Sequence, residues 1–158
     1  MKKILWLEDE IDVIDAVCDS FQGKCEFAVV NNLFELQRQL YKDPGVETFD
    51  LVLLDMSIAS PGISIRTYKR KMPQLFEDEQ GNYLEASSYA NLPMIGFDYY
   101  KRIVCVDKKF ADIKFNKFML MTGHYALLER GGLLKDIPVR VIKKRGQGSY
   151  EELEKLFG

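Results

Sequence analysis

Four short apolar runs in this sequence each end on residues that can do chemistry. Ile4 to Leu7 meets Glu8-Asp9-Glu10, Leu51 to Leu54 meets Asp55, Phe118 to Met121 meets Thr122, and Val139 to Ile142 meets Lys143-Lys144. Asp55 poses the sharpest question, because a carboxylate that closes a buried run needs compensation: an unpaired buried charge is costly. Two or three carboxylates gathered at one place offer the hard oxygen ligands that Mg²⁺ takes alongside phosphate oxygens. A carboxylate beside such an ion is a nucleophile toward a phosphoryl group. A lysine then acts as a point charge on the incoming phosphate, and a threonine hydroxyl can hydrogen-bond an oxygen of the acyl phosphate that forms. Together the four run-ends spell phosphoryl acceptance on Asp55.

They meet only if their strands lie side by side. Residues 3–7 read as a strand, followed by a helical pattern with Ile11, Ile14, Cys18 and Phe21 on one face and Gly23 past its end. A second strand spans 25–30. Asn31 or Asn32 can cap the next helix, which carries Leu33, Leu36 and Leu40 and stops before Asp43-Pro44-Gly45. The third strand is 49–54. Helical periodicity resumes near Gly96 with Phe97, Tyr100, Ile103 and Val104, and 117–121 is a fourth strand. A short helix through Leu127-Leu128 ends at Gly131-Gly132, a fifth strand covers 138–142, and residues 149–157 form a last helix with Ser149 and Glu152 at capping-box spacing. Five β-then-α units predict one α/β domain over residues 1–158, with a parallel sheet covered by helices on both faces. Ligands of such sheets bind beyond the carboxyl ends of the strands, the edge on which all four run-ends fall.

Asp55 and Thr122 are 67 positions apart, whereas a βαβ unit takes about 30 residues. Residues 60–95, roughly, therefore read as an insertion between the third strand and the third helix. It holds Pro61 and Pro73, a basic group (Arg66, Lys69, Arg70, Lys71), an acidic group (Glu77, Asp78, Glu79) and Gln80-Gly81-Asn82, predicted to turn a β-hairpin.

In these stretches the chain resembles the receiver domains of two-component response regulators. "ILWLEDE" is similar to their first strand with its acidic pair, "FDLVLLDM" to the strand bearing the phosphoacceptor aspartate, and "FMLMTGH" to the strand ending in their Thr or Ser. The resemblance covers residues 1–55 and about 96–158. It implies a flavodoxin-like (βα)₅ sandwich with strand order 2-1-3-4-5. Asp55 would be the phosphoacceptor, with Mg²⁺ on Glu8, Asp9, Asp55 and the backbone carbonyl of Ser57, and with Thr122 as the hydroxyl. Lys143 falls where the family keeps its lysine, with Lys144 competing for the role. Ser57 and His124 occupy positions that modulate dephosphorylation. The phosphodonor would be a histidine kinase or phosphotransfer protein, and catalysis would be limited to the chain's own phosphorylation and dephosphorylation. A cytoplasmic monomer or weak homodimer would then signal to a separate downstream protein. Three departures stand out: "MSIASPG" replaces a Met-Pro turn, no proline follows the lysine, and Arg140 sits three before Lys143, where the family has a signalling aromatic. Output is therefore expected to run through the insertion.

Composition narrows the alternatives. With 22 basic and 24 acidic residues the net charge is −2, which gives no bulk attraction to nucleic acid or anionic lipid, and the 66–71 basic group lacks an aromatic platform. No apolar run reaches the roughly 20 residues of a membrane span, and the start meets acid too early for a signal peptide. Cys18, Cys25 and Cys105 have no metal-ligand spacing and read as small core residues kept reduced. Lone His124 has no partner for a metal site. No G-x-G-x-x-G follows the first strand, against dinucleotide binding. Two rivals use the same residues: an unphosphorylated module that binds a partner constitutively through the insertion, and a Mg²⁺-dependent phosphohydrolase. The second lacks an acid two positions after Asp55, where Ser57 stands.

Overall fold

The computed structural model describes residues 1–58, 62–89, 91–146 and 148–157. Ser60 and Pro61, the turn expected straight after the third strand, lie outside the described residues. Five parallel strands make the main sheet: β1 (Lys2–Leu7), β2 (Cys25–Val30), β3 (Leu51–Asp55), and, past the insertion, β6 (Phe118–Thr122) and β7 (Val141–Lys143). Their order is β2-β1-β3-β6-β7. With the two short strands of the insertion numbered in, that is the order the sequence predicts. Side chains alternate across a strand, so each run feeds two cores. Leu5, Leu7, Val52, Leu54 and Leu120 pack on one face of the sheet; Ile4, Trp6, Leu53, Met119 and Met121 pack on the other. Strands buried on both faces need near-continuous apolar runs, and this is why they stand out in the sequence.

Helix α1 (Ile11–Ser20) lies on the second face and α2 (Leu33–Tyr41) on the first. Asn32, the second of the two candidate asparagines, caps α2 by accepting from the Glu35 amide at 2.9 Å. Leu33, Leu36 and Leu40 are buried as expected. In α1 the buried residues are Val13 and Val17, while Ile11 is exposed and Ile14 and Cys18 are half-buried. Of the expected face, Phe21 is buried and Ile14 packs in the core that holds Ile4 and Trp6 of β1, where Val13 and Val17 join them, while Ile11 is left to solvent.

The insertion has structure of its own. It contains α3 (Ile65–Lys71), a 3₁₀ turn at Pro73–Leu75, and two-residue strands β4 (Ser88–Tyr89) and β5 (Leu92–Pro93), paired antiparallel. The hairpin expected at Gly81 is a single bridge, Glu77 to Tyr83. Its turn is closed by the Asp78 carboxylate, which accepts from the amides of Gln80 and Asn82, beside backbone bonds from Asp78 N to Asn82 O and from Leu84 N to Phe76 O. The basic group falls on α3, where Lys69 stands over the Phe76 and Tyr83 rings. Helix α4 (Ile95–Tyr99) continues as a wider turn through Tyr100–Val104. Helices α5 (Tyr125–Arg130) and α6 (Glu151–Phe157) complete the chain's elements. The last helix starts later than the capping-box spacing suggests, because Tyr150 takes the left-handed conformation (φ 65°) just before it and leaves Ser149 outside the cap position. Cys18, Cys25 and Cys105 are free thiols, and among the described residues no helix is long and apolar enough to cross a membrane.

One glycine fixes how the insertion returns to the sheet. At Gly96, in the first turn of α4, an added Cβ would lie 1.8 Å from the carbonyl oxygen of Asp55. The helix backbone thus rests directly on the end of the strand that carries the candidate acceptor. Alanine gains at most about 1 kcal/mol in helix propensity over glycine, far less than a clash with backbone that cannot turn aside. Gly96→Ala is expected to lower the unfolding free energy by about 3 kcal/mol or more in urea titrations. Gly123→Ala, whose new Cβ would meet nothing within 4 Å, is expected to change it by about 0.5 kcal/mol or less.

Candidate functional site

The carboxyl ends of β1, β3, β6 and β7 gather one charged cluster. β1 hands over to Glu8, which is fully buried, and to the half-buried Asp9 and Glu10. β3 ends on Asp55, 1% exposed, and β6 ends on Thr122, also buried. From β7 comes Lys144, 4% exposed, whose ammonium lies 3.0 Å from Asp55 Oδ2, 3.0 Å from Glu10 Oε1 and 2.8 Å from Glu8 Oε2.

Lys143, the first choice for this lysine, is not there. Its ammonium lies 4.8 Å above the Tyr125 ring, on the face covered by α5. Alternation decides between the two. Val141 packs with the first core and Ile142 with the second, so Lys143 follows Val141 away from the acids. Lys144, past the strand end, donates its amide to Thr122 O at 3.0 Å and turns over the rim. Tyr150 holds it there, its hydroxyl donating to the Lys144 carbonyl at 2.9 Å. The residue three before Lys144 is Val141, and Arg140 pairs with Glu152 at 3.3 Å.

Each acid is held differently. Glu8 Oε1 accepts from the amides of Asp9 and Glu10 and from Lys144, while its buried Oε2 has only the charge contact with Lys144 and no hydrogen bond. Asp55 Oδ1 accepts from the Ser57 amide at 3.2 Å and Oδ2 from Lys144. Burial, reinforced by the charge of Glu8, holds the Asp55 carboxyl well above the ordinary range, with Lys144 and the Ser57 amide acting against the rise. For Lys144 burial opposes the charged form, but Asp55 and Glu8 outweigh it and the ammonium stays protonated beyond the usual lysine range. Glu10 is shifted down: burial raises it, and Lys144 and Arg145 more than reverse that.

Glu8, Asp9 and Asp55 each offer a carboxylate oxygen, all within 4.8 Å of one another. Mg²⁺ holds its ligands at about 2.1 Å, so two opposite ligands sit roughly 4.2 Å apart and only a small closing movement is needed. Oε2 of Glu8, buried with no hydrogen bond, has the capacity to ligate. All three donors are hard oxygens, and the set fits Mg²⁺.

Next to the acids opens a cavity of about 440 Å³. Asp9, Glu10, Ser57 and His124 form its polar side; Ile63, Ile65, Leu92 and Pro93 of the insertion form the other. Ser57 Oγ is buried without a hydrogen-bond partner. Thr122 Oγ1 accepts from the His124 amide at 3.0 Å, which closes the turn into α5. Sequence reasoning thus located Glu8, Asp9, Asp55, Ser57, Thr122 and His124 around one rim and left the lysine open. It passed over three residues. Glu10 stood in the acidic run but was given no role of its own, and nothing in the sequence singled out Arg145, which pairs with Glu10, or Tyr150.

No family model, curated protein or solved structure matches this chain.

The two adjacent lysines make a controlled experiment. Removing one partner of a buried ion pair leaves an uncompensated charge, a loss of about 3 kcal/mol or more, so Lys144→Met is expected to destabilise by that amount at pH 8. Lys143→Met is expected to change stability by about 0.5 kcal/mol or less. The sign with pH follows from Asp55. Its folded pKa lies above its unfolded value, so the folded state holds the proton longer, and the carboxyl loses stability for the fold as pH rises from the unfolded toward the folded value. Acid therefore relieves the Lys144→Met defect, and urea titrations at pH 5 and pH 8 should show a smaller deficit at pH 5.

Proposed function

We propose that this chain is a phosphoacceptor signalling domain of the receiver type, with a flavodoxin-like fold, that takes a phosphoryl group on Asp55. The observation that carries this reading is the meeting of Asp55, two further acids and the Lys144 ammonium at the carboxyl edge of a parallel sheet ordered β2-β1-β3-β6-β7. In the proposed reaction an Asp55 carboxylate oxygen attacks the phosphorus of an N- or acyl-phosphoryl donor. A P–O bond to Asp55 forms, the P–N or P–O bond to the leaving group breaks, and the electron pair departs with that group, which takes a proton from solvent if it needs one. Lys144 would hold charge on the phosphoryl oxygens, and the Thr122 hydroxyl, at the end of the neighbouring strand β6, would donate a hydrogen bond to one of them. Glu8, Asp9, Asp55 and the Ser57 carbonyl are the residues that would hold Mg²⁺, which when bound neutralises charge on the transferring group. Ser57 and His124, on the polar side of the cavity, would set access of water to the acyl phosphate. A histidine kinase or phosphotransfer protein would be the donor, and the insertion that walls the cavity would face the downstream partner.

A second reading has its own observation. Asp55 is nearly sealed and its charge is met by Lys144 without any ligand, as suits a receiver-like scaffold that binds a partner constitutively. One set of measurements separates the two. Intact mass after treatment with acetyl phosphate or phosphoramidate plus Mg²⁺ is expected to show one added phosphoryl group per chain. Asp55→Asn should abolish it, and chelating the metal should slow it about 100-fold. No mass gain, or a gain that persists in Asp55→Asn, removes the acceptor reading. Amide exchange unchanged by Mg²⁺ and beryllofluoride would then leave the constitutive scaffold.

A further inference from the structure

An ammonium carries three N–H donors, and each of Lys144's three goes to a different carboxylate: Glu8 Oε1, Glu10 Oε1 and Asp55 Oδ2, all at 3.0 Å. A phosphoryl oxygen on Asp55 can engage that ammonium only by displacing one of them. Asp55 carries the new group and stays. Glu8 is fully buried, its Oε1 also anchors two backbone amides, and losing Lys144 would strand its charge away from water. Glu10 differs on both counts. Its side chain is 40% exposed, and its second oxygen is already paired with Arg145. Once Lys144 leaves, Glu10 keeps both a counter-charge and water.

We infer that Glu10 is a positioning residue that occupies the third N–H of Lys144 in place of the phosphoryl group and yields it when Asp55 is phosphorylated. This rests on the acceptor reading above. Two consequences follow from the geometry. Glu10 competes with the phosphoryl group for the lysine, so it weakens the phosphorylated arrangement. Its release also changes the surface, because Glu10 then pairs with Arg145 alone. Arg145 belongs to the turn between β7 and α6, where Gly146 and Gly148 take positive φ and Tyr150 pins the Lys144 carbonyl. An exchange at a buried ammonium is thereby passed to an exposed ion pair.

Beryllofluoride binding at saturating Mg²⁺, with the Arg145 Nε–H resonance followed in the ¹⁵N-labelled full chain, tests this. Glu10→Ala is expected to bind beryllofluoride about tenfold more tightly than the unaltered chain, since a charge-assisted competitor for the lysine is gone. Glu10→Gln, which keeps the shape and loses the charge, should fall between. Asp12→Asn removes an equal charge from an exposed position in the first turn of α1, and should change affinity about twofold at most. The Arg145 resonance should move on saturation in the unaltered chain and stay still in Glu10→Ala. Affinity unchanged or weakened in Glu10→Ala, or a gain matched by Asp12→Asn, overturns the inference and leaves Asp55 phosphorylation standing. A chain that takes neither beryllofluoride nor a phosphoryl group overturns the acceptor reading and the inference together.

Discussion

Everything at the carboxyl edge of the sheet is organised by one ammonium shared among three acids. Adjacent strands lie about 4.8 Å apart, so β7, three places from β1, sits roughly 14 Å from it. No lysine side chain crosses that distance from within its own strand. Lys144 reaches the β1 acids because it stands one residue past β7, bonded through its amide to the end of β6, and so starts from above its neighbours. Glu8 and Glu10 complete the span from the other side. Breaking either the β6–β7 register or the Tyr150 bond would leave the acids without their counter-charge.

The insertion serves the same edge. Long connections are tolerated where their ends are close, but this one is tied to the frame at many points. The guanidinium of Arg102 donates to the carbonyls of Leu75 and Glu85, and buried Asp98 accepts from the Ser87 amide. Tyr68 of α3 accepts from the Leu33 amide at the start of α2, and Tyr89 donates to Leu127 O of α5. With Gly96 pressed on the Asp55 carbonyl, these bonds set the wall of the cavity at a fixed distance from the acids.

This division explains what could be read from sequence. The inner strands β1, β3 and β6 were legible because burial on both faces forces continuous apolar runs, and α2 because its asparagine cap and leucine spacing agree. The insertion was not, since its contacts are side chain to backbone across separations such as 27 residues from Arg102 to Leu75, which leave no periodic trace. Helix α3 in particular carries a basic run where an amphipathic pattern would be needed. Choosing between Lys143 and Lys144 required the last residue of β7. The apolar run suggested an end at Ile142, whereas pairing runs from Val141 to Lys143, and one residue reverses the face. Nothing set Glu10 apart from the acids beside it, since an acid at a helix start is favourable in any case.

The number of acids is itself informative. A structural ion pair needs one carboxylate per lysine, and apolar residues of similar volume often serve a core as well or better. Here Glu8, Glu10 and Asp55 share Lys144, with Arg145 on Glu10, so among these described residues, all ionised, three negative charges meet two positive ones. Burial first, and the charge of Glu8 after it, displace the Asp55 carboxyl upward. A purely structural role gives no reason to keep such a surplus. A site meant to receive a divalent ion does, since such an ion would supply further positive charge and let Asp55 ionise as a nucleophile must. The crowding of acids around Lys144 is thus a physical ground for the proposed phosphoryl acceptance that does not depend on likeness to other proteins.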